Sequence, residues 1–214
     1  MVVRKLRWTK LLPLLFVLPA CDALGPDATG QARLFLARGS AASAAVSGSD
    51  GVAEAPLTLS AVESIIVHIT GVQVLAEGND DSAWETLEFA AGAATTVDLM
   101  QLPEEGAQAL LFANGEVDVG QYANVRLLID DSATIVLTQA VKVGNTTLPP
   151  DTYALRIPSS LQSGLKINLP SFMVEENETE DATLVFDNAT AIGTVVVTGN
   201  GVLQMSPVLR AQTP

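Results

Sequence analysis

The stretch Ser64-Ile65-Ile66-Val67-His68-Ile69-Thr70-Gly71-Val72-Gln73-Val74-Leu75 decides the fold class. Ile65, Val67 and Ile69 fall on one face and Ser64, Ile66 and His68 on the other, the period of a β-strand. The phase slips at Thr70-Gly71, after which Val72 and Val74 carry the apolar set onward. A glycine at such a slip predicts a bulge or a tight bend. Working outward, residues 31–38 alternate with Ala32, Leu34, Leu36 and Arg38 on one face. Residues 122–129 do the same with Ala123, Val125, Leu127 and Ile129. Shorter strands are expected at 84–89, 95–99, 134–137, 153–157, 165–169, 171–174 and 183–187. Gly144-Asn145 turns 140–143 into 146–148, and Asn200-Gly201 turns 194–198 into 202–209. One helix is expected at 104–113, with Glu104 and Glu105 in its first turn, Ala109, Leu110 and Phe112 as its apolar side, and Asn114-Gly115 as its stop. About nine to eleven short strands with one short helix, and no strand–helix–strand alternation, predict an all-β, Greek-key-type β-sandwich.

Composition narrows the chemistry. The 214 residues hold 11 Lys and Arg against 24 Asp and Glu, a net charge of -13, with 48% apolar residues, one His and one Cys. The apolar share excludes a disordered chain, and the length is enough for one domain with a real core. The acidic balance argues against nucleic acid as a partner, because phosphate needs clustered cations. A single cysteine excludes an internal disulfide and a cysteine-rich zinc site.

The amino terminus sets the compartment. Arg4, Lys5, Arg7 and Lys10 precede an apolar run, Leu11 to Leu18, and then Pro19-Ala20-Cys21. This is the pattern of a secretory signal, with a run too short to span a bilayer. Leu18-Pro19-Ala20-Cys21 resembles a bacterial lipobox, with Pro19 departing from the usual small residue. The resemblance implies that Cys21 is lipidated and becomes the mature terminus. The chain then divides into a lipoprotein signal peptide at 1–20, lipidated Cys21 with a tether to 29, and one β-domain at 30–212. Removal of 1–20 leaves seven Lys and Arg against all 24 acids, a net charge of -17. Two or three acyl chains hold such a domain to a membrane that its own surface does not attract.

Few constellations carry chemistry. His68 is the sole histidine, and the chain has no Gly-x-Ser-x-Gly elbow, Ser-x-x-Lys pair or histidine-containing triad. No catalytic residue, cofactor or enzyme activity is expected. Candidate calcium ligands are Asp130, Asp131, Glu175, Glu176, Glu178 and Asp181, carboxylates in loops as a hard cation requires. There is no Asp-x-Asp-x-Asp-Gly loop, and the acidic run reads first as solvated surface, so no metal is expected. Arg126 shares a strand face with Tyr122, Asn124 and Leu128, and Asp98 or Asp187 is the expected partner in a structural ion pair. Asn145, Asn177 and Asn188 begin glycosylation-type sequons, which a bacterial lipobox makes fortuitous.

An ordered set of motifs follows the early Ile69-Thr70-Gly71-Val72 and Val97-Asp98-Leu99. It runs Gly120-Gln-Tyr122-Ala-Asn-Val125-Arg126-Leu127, Ile157-Pro158-Ser159-Ser160, Gly164-Leu165-Lys166, Leu184-Val-Phe186-Asp187 and Ser206-Pro207-Val208-Leu209-Arg210. The set resembles a family of bacterial lipoproteins with a β-rich extracytoplasmic domain of unknown function. The resemblance covers about residues 30–210 and implies an anchored β-domain with no assigned reaction. The expected function is a non-enzymatic binding, adhesion or assembly module at the cell envelope, facing the periplasm or the cell surface. Its partners are the membrane, through Cys21, and a protein met by loops or an edge strand. A calcium-binding envelope domain is the first alternative and a carboxylate-based hydrolase the second.

Overall fold

The computed structural model describes residues 28–39, 57–130, 132–158 and 164–213. The signal-like segment, Cys21, residues 40–56, Asp131 and Ser159-Ser160 lie outside the described residues. The described residues are all-β, with one short helix.

The organising element is β2 (Val62–Ala76), which carries the decisive alternation. Ile65, Val67, Ile69, Val72 and Val74 all have zero exposure. The slip at Gly71 is a break in register against β6 (Gly120–Ile129), between Ile69 and Gly71. The bulge keeps five apolar side chains on one face although the sequence shifts phase between them.

Two sets of strands share β2. Its first half pairs with β7 (Thr134–Leu137) on one side and β4 (Thr96–Asp98) on the other. From β7 the sheet runs through β10 (Thr152–Arg156) and β14 (Leu203–Gln204) to the edge at β13 (Val196–Val197). A separate hairpin, β8 (Val141–Val143) with β9 (Thr146–Leu148), leaves the bottom of β7. The second half of β2 pairs with β6 and β3 (Glu85–Phe89). Beyond β3 come β5 (Leu110–Asp118), β1 (Thr29–Arg38), β12 (Thr179–Phe186) and β15 (Leu209–Gln212). Beyond β6 comes β11 (Leu165–Val174). The sheet curls until two of its free edges, β11 and β15, flank one groove, and one contiguous core fills the interior. Val125, on the apolar face that alternation assigned, is fully buried, and Phe186 is nearly so.

Two assignments differ from expectation. At the start of β6 Tyr122 is fully buried against Phe172 and Ala123 is not, so Tyr122 does not share the outer face of Arg126; the register shift opposite Leu75-Ala76 changes the phase there. The second is the helix. Residues 104–113 are not a helix: Glu104 bridges to Arg38, a turn follows, and Leu110 begins β5. Leu110 to Asp118 pairs with β1 and β3, so a helix there would strip both of hydrogen-bond partners. Asn114-Gly115 lies mid-strand and stops nothing. The α-helix is instead α1 (Asn188–Gly193), where the Asp187 side chain accepts a hydrogen bond from the Thr190 N–H and caps the first turn.

Candidate functional site

The ordered motifs lie apart in sequence and converge in space. β11 pairs with β6 so that Lys166 lies opposite Arg126 and Leu165 opposite Leu127. β6 pairs with β2 so that Gln73 lies opposite Arg126. Gln73, Arg126 and Lys166 therefore form one row across three strands on the outer face. Trp84, at the end of the loop that descends from β2, covers this row. The Arg126 guanidinium stands 4.4 Å from the centre of the indole and the Lys166 ammonium 5.5 Å, both within cation–π range. Arg126 Nε donates to Gln73 Oε1 at 2.7 Å, and Lys166 Nζ donates to both carboxylate oxygens of Asp81 at 2.7 and 2.8 Å. The Lys166 bond holds the Asp81 carboxyl below its ordinary range, with smaller help from Trp84 and Arg126. The indole N–H lies by the same carboxylate but outside hydrogen-bond geometry, so Nε1 is buried with no acceptor among the described residues.

Gly164 makes this crossing possible. It has φ of +67°, and a Cβ there would sit 2.8 Å from the Leu127 carbonyl oxygen and 2.9 Å from Leu128 Cδ2. Only glycine turns the chain into β11 against the backbone of β6 at that point.

On the other side of β11 lies the groove. Its first cavity, of about 350 Å³, is walled by Pro158, Gly164–Ile167, Ser206, Pro207 and Leu209. A neighbouring cavity of about 420 Å³ continues along Lys166–Asn168, Pro170 and Leu209–Ala211. The Ile157-Pro158, Gly164-Leu165-Lys166 and Ser206-to-Arg210 motifs thus meet in one place. Arg210, at its rim, pairs with Glu105, which also accepts from Gln212. These partners hold the Glu105 carboxyl below its ordinary range. The groove presents prolines, aliphatic side chains, hydroxyl and amide groups and two cations already engaged by carboxylates. Such a lining suits binding, and among the described residues no nucleophile lies beside an activating base there.

The other expected residues lie elsewhere. Arg126 does not meet Asp98 or Asp187. Asp98 Oδ1 accepts from the Ile65 and Met100 N–H groups at 3.1 and 2.9 Å, and Asp187 caps α1. Arg126 reaches the β2 side of its own sheet, where Gln73 and Trp84 are at hand. The candidate calcium ligands are divided between opposite ends of the molecule. Asp130 follows β6, and its carboxylate accepts from Ser132, which lowers its pKa. Glu175, Glu176 and Glu178 lie in the turn after β11, at the other end of β6, about 30 Å away for ten residues of strand. Asp181 is committed to Arg33 through two bonds of 2.7 Å. Among the described residues no three His, Cys, Asp or Glu side chains gather as a metal would need. Of the sequon asparagines, Asn188 is buried and its Nδ2 donates to the Leu99 carbonyl at 2.6 Å, so it is closed to modification.

Sequence reasoning missed the pairing of Asp81 with Lys166 and of Glu105 with Arg210, and the covering role of Trp84. The available signal was a tryptophan shortly after paired aspartates, Asp80-Asp81.

Comparison with known proteins adds little chemistry. Among solved structures, the chain is similar to one described as "a putative cell adhesion protein" from Bacteroides fragilis, at 13% identity and a TM-score of 0.24. That match covers 87% of this chain and 45% of the other, so the chain spans under half of that protein. No curated protein matches. A family model described as "Domain of unknown function (DUF4382)" matches residues 49–207, and the chain belongs to that family.

Proposed function

We propose that this protein is a lipid-anchored extracytoplasmic module that binds through the groove between β11 and β15 and catalyses no reaction. The observation that carries the reading is the convergence of three separated motifs on one groove of this all-β fold. The basic segment, the short apolar run and the lipobox-like Leu18 to Cys21 supply the anchor, with Cys21 the single cysteine of the chain. His68, the single histidine, bonds through Nδ1 to Thr96 Oγ1 on β4, away from the groove.

Two measurements test the two halves of the proposal. Metabolic labelling with an alkyne fatty acid should mark the wild type and not Cys21→Ser; label retained on the variant refutes the anchor. Affinity capture from detergent-solubilised membranes should then be run with the wild type and with Ser206→Arg. Ser206 is exposed, and its side chain only lines the groove, so arginine fills the space without disturbing the core. A partner retained equally by both proteins places binding outside the groove.

A further inference from the structure

We infer that the domain stands on its membrane with the end that carries Thr29 toward the bilayer, held off an anionic headgroup layer by a face of one charge sign, with the β8–β9 hairpin outermost. The inference rests on the lipid anchor proposed above and adds which surface meets the membrane.

The first argument is length. From Cys21 to Thr29 there are eight residues, a reach of at most about 28 Å when extended. β1 enters the fold at Thr29, opposite Asp118 of β5, and the Thr29 carbonyl accepts from the Asn177 N–H. β2 alone, with its fifteen residues, runs roughly 45 Å from this end to the other. The hairpin of β8 and β9 lies at that far end, because β7 runs along β2 to Val62 before the hairpin begins. A tether of 28 Å cannot let the far end rest on the bilayer while the entry end stands 45 Å above it.

The second argument is charge. Glu77, Glu116, Asp118, Glu175, Glu176 and Glu178 are all exposed at the entry end. None of the seven cations that follow Cys21 lies there. The nearest, Arg33, is four residues down β1 and held by Asp181. Residues 132–158 and 188–213, which build the far lobe and β15, contain one acid, Asp151, with Lys142, Arg156 and Arg210. Lower in the fold, Glu104 and Glu105 are paired with Arg38 and Arg210. The acids at the entry end therefore face a bilayer unneutralised, within the reach of its surface potential, which decays over about 8 Å at physiological salt.

Lipidation would consume the only native thiol, so an engineered cysteine takes a single dye on the intact lipoprotein. Glu176→Cys marks the entry end and Asn145→Cys the β8–β9 tip, and both positions are exposed. The lipidated chains are placed in phosphatidylcholine vesicles carrying a headgroup energy acceptor. Transfer from position 176 should exceed transfer from 145 several-fold. Adding phosphatidylglycerol at low salt should lower transfer from 176, and high salt should restore it. Adding Glu116→Gln, Glu175→Gln and Glu178→Gln, which leaves only Glu77 and Asp118 of the six acids, should weaken the response. Equal or greater transfer from 145, or no response of 176 to phosphatidylglycerol, overturns the orientation. Failure of the anchor shows separately, as protein that does not float with the vesicles and carries a second dye on Cys21, and it overturns both readings.

Discussion

Replacing Gly164 with alanine tests the crossing of β6 and β11 on which the candidate site depends. Two costs add. The first is conformational: a φ of +67° puts an L side chain in the left-handed region, at about 1–2 kcal/mol. The second is steric, because the new Cβ would lie 2.8 Å from the Leu127 carbonyl oxygen. That oxygen belongs to a strand paired on both sides and cannot easily withdraw, whereas the Leu128 side chain at 2.9 Å can turn away. Relief of the backbone contact costs about 1–3 kcal/mol, as overpacking generally does. The sum is about 2–5 kcal/mol, which for a domain of this size lowers Tm by roughly 5–15 °C.

Gly78→Ala is the matched control. Its φ is +83°, but no atom lies within 4 Å of the Cβ position, so only the conformational cost applies. Urea unfolding of the chain from residue 22, followed by the fluorescence of Trp84, its single tryptophan, measures both variants. Gly164→Ala should lose at least about 1 kcal/mol more than Gly78→Ala. Equal losses would mean that β11 does not pass against the Leu127 carbonyl, and the row of Gln73, Arg126 and Lys166 would fall with it.

Substitutions at five further positions probe other parts of the fold. Val125→Asp and Phe186→Asp each bury a carboxylate in the core and should unfold the chain, while Glu178→Ala, in the exposed turn, should leave Tm within a degree or two as judged by circular dichroism. Trp84→Ala should cost about 2–4 kcal/mol by loss of partly buried aromatic surface and of two cation contacts, and Trp84→Phe should recover most of this in the same thermal melts. Glu180 titrates in the opposite sense to Asp81 and Glu105: burial first, then Asp181 and Glu175, push its carboxyl above the ordinary range. Its charged form therefore opposes folding at neutral pH, and that penalty fades as pH falls through the raised pKa. Glu180→Gln should stabilise at pH 7 and lose its advantage near pH 4, measured as the shift in urea midpoint; an advantage equal at both pH values would refute the assignment.

Strand content was legible because alternation is a local property. The apolar faces it assigned in β1, β2 and, from Val125 onward, β6 are buried, but at the start of β6 a register shift against Leu75-Ala76 puts Tyr122 rather than Ala123 in the core. The segment at 104–113 shows where local signals mislead. Two acids ahead of an apolar stretch resemble a helix start, but here Glu104 and Glu105 serve Arg38 and Arg210, partners that lie 66 and 105 residues away. Asn114-Gly115 resembles a stop, yet Gly115 is kept mid-strand because Leu87 packs where its Cβ would be, 3.0 Å away. The partner of Arg126 was illegible for the same reason. Gln73 and Lys166 stand beside it only through two strand registers, one of them shifted by the bulge at Gly71.

The groove itself follows from how β11 ends its ladder. Both β11 and β15 run toward the entry end, so direct closure would require a parallel pair between strands that each hold one antiparallel neighbour. β11 is poorly suited to form it. Its register breaks between Asn168 and Phe172, Pro170 offers no N–H, and Ser171 takes a φ of 55°. A proline, a bulge and the exposed Lys166 and Asn168 also make this edge a poor template for an added strand, the usual hazard of an open sheet. Thr213 ties the two edges with one bond to the Pro170 carbonyl instead of a ladder. The seam is thus held near but not shut, and it resists aggregation while keeping two joined cavities. A ligand suited to it would engage side chains and scattered backbone groups rather than complete the sheet, which is why the variant chosen above fills the groove at Ser206 instead of altering a strand edge.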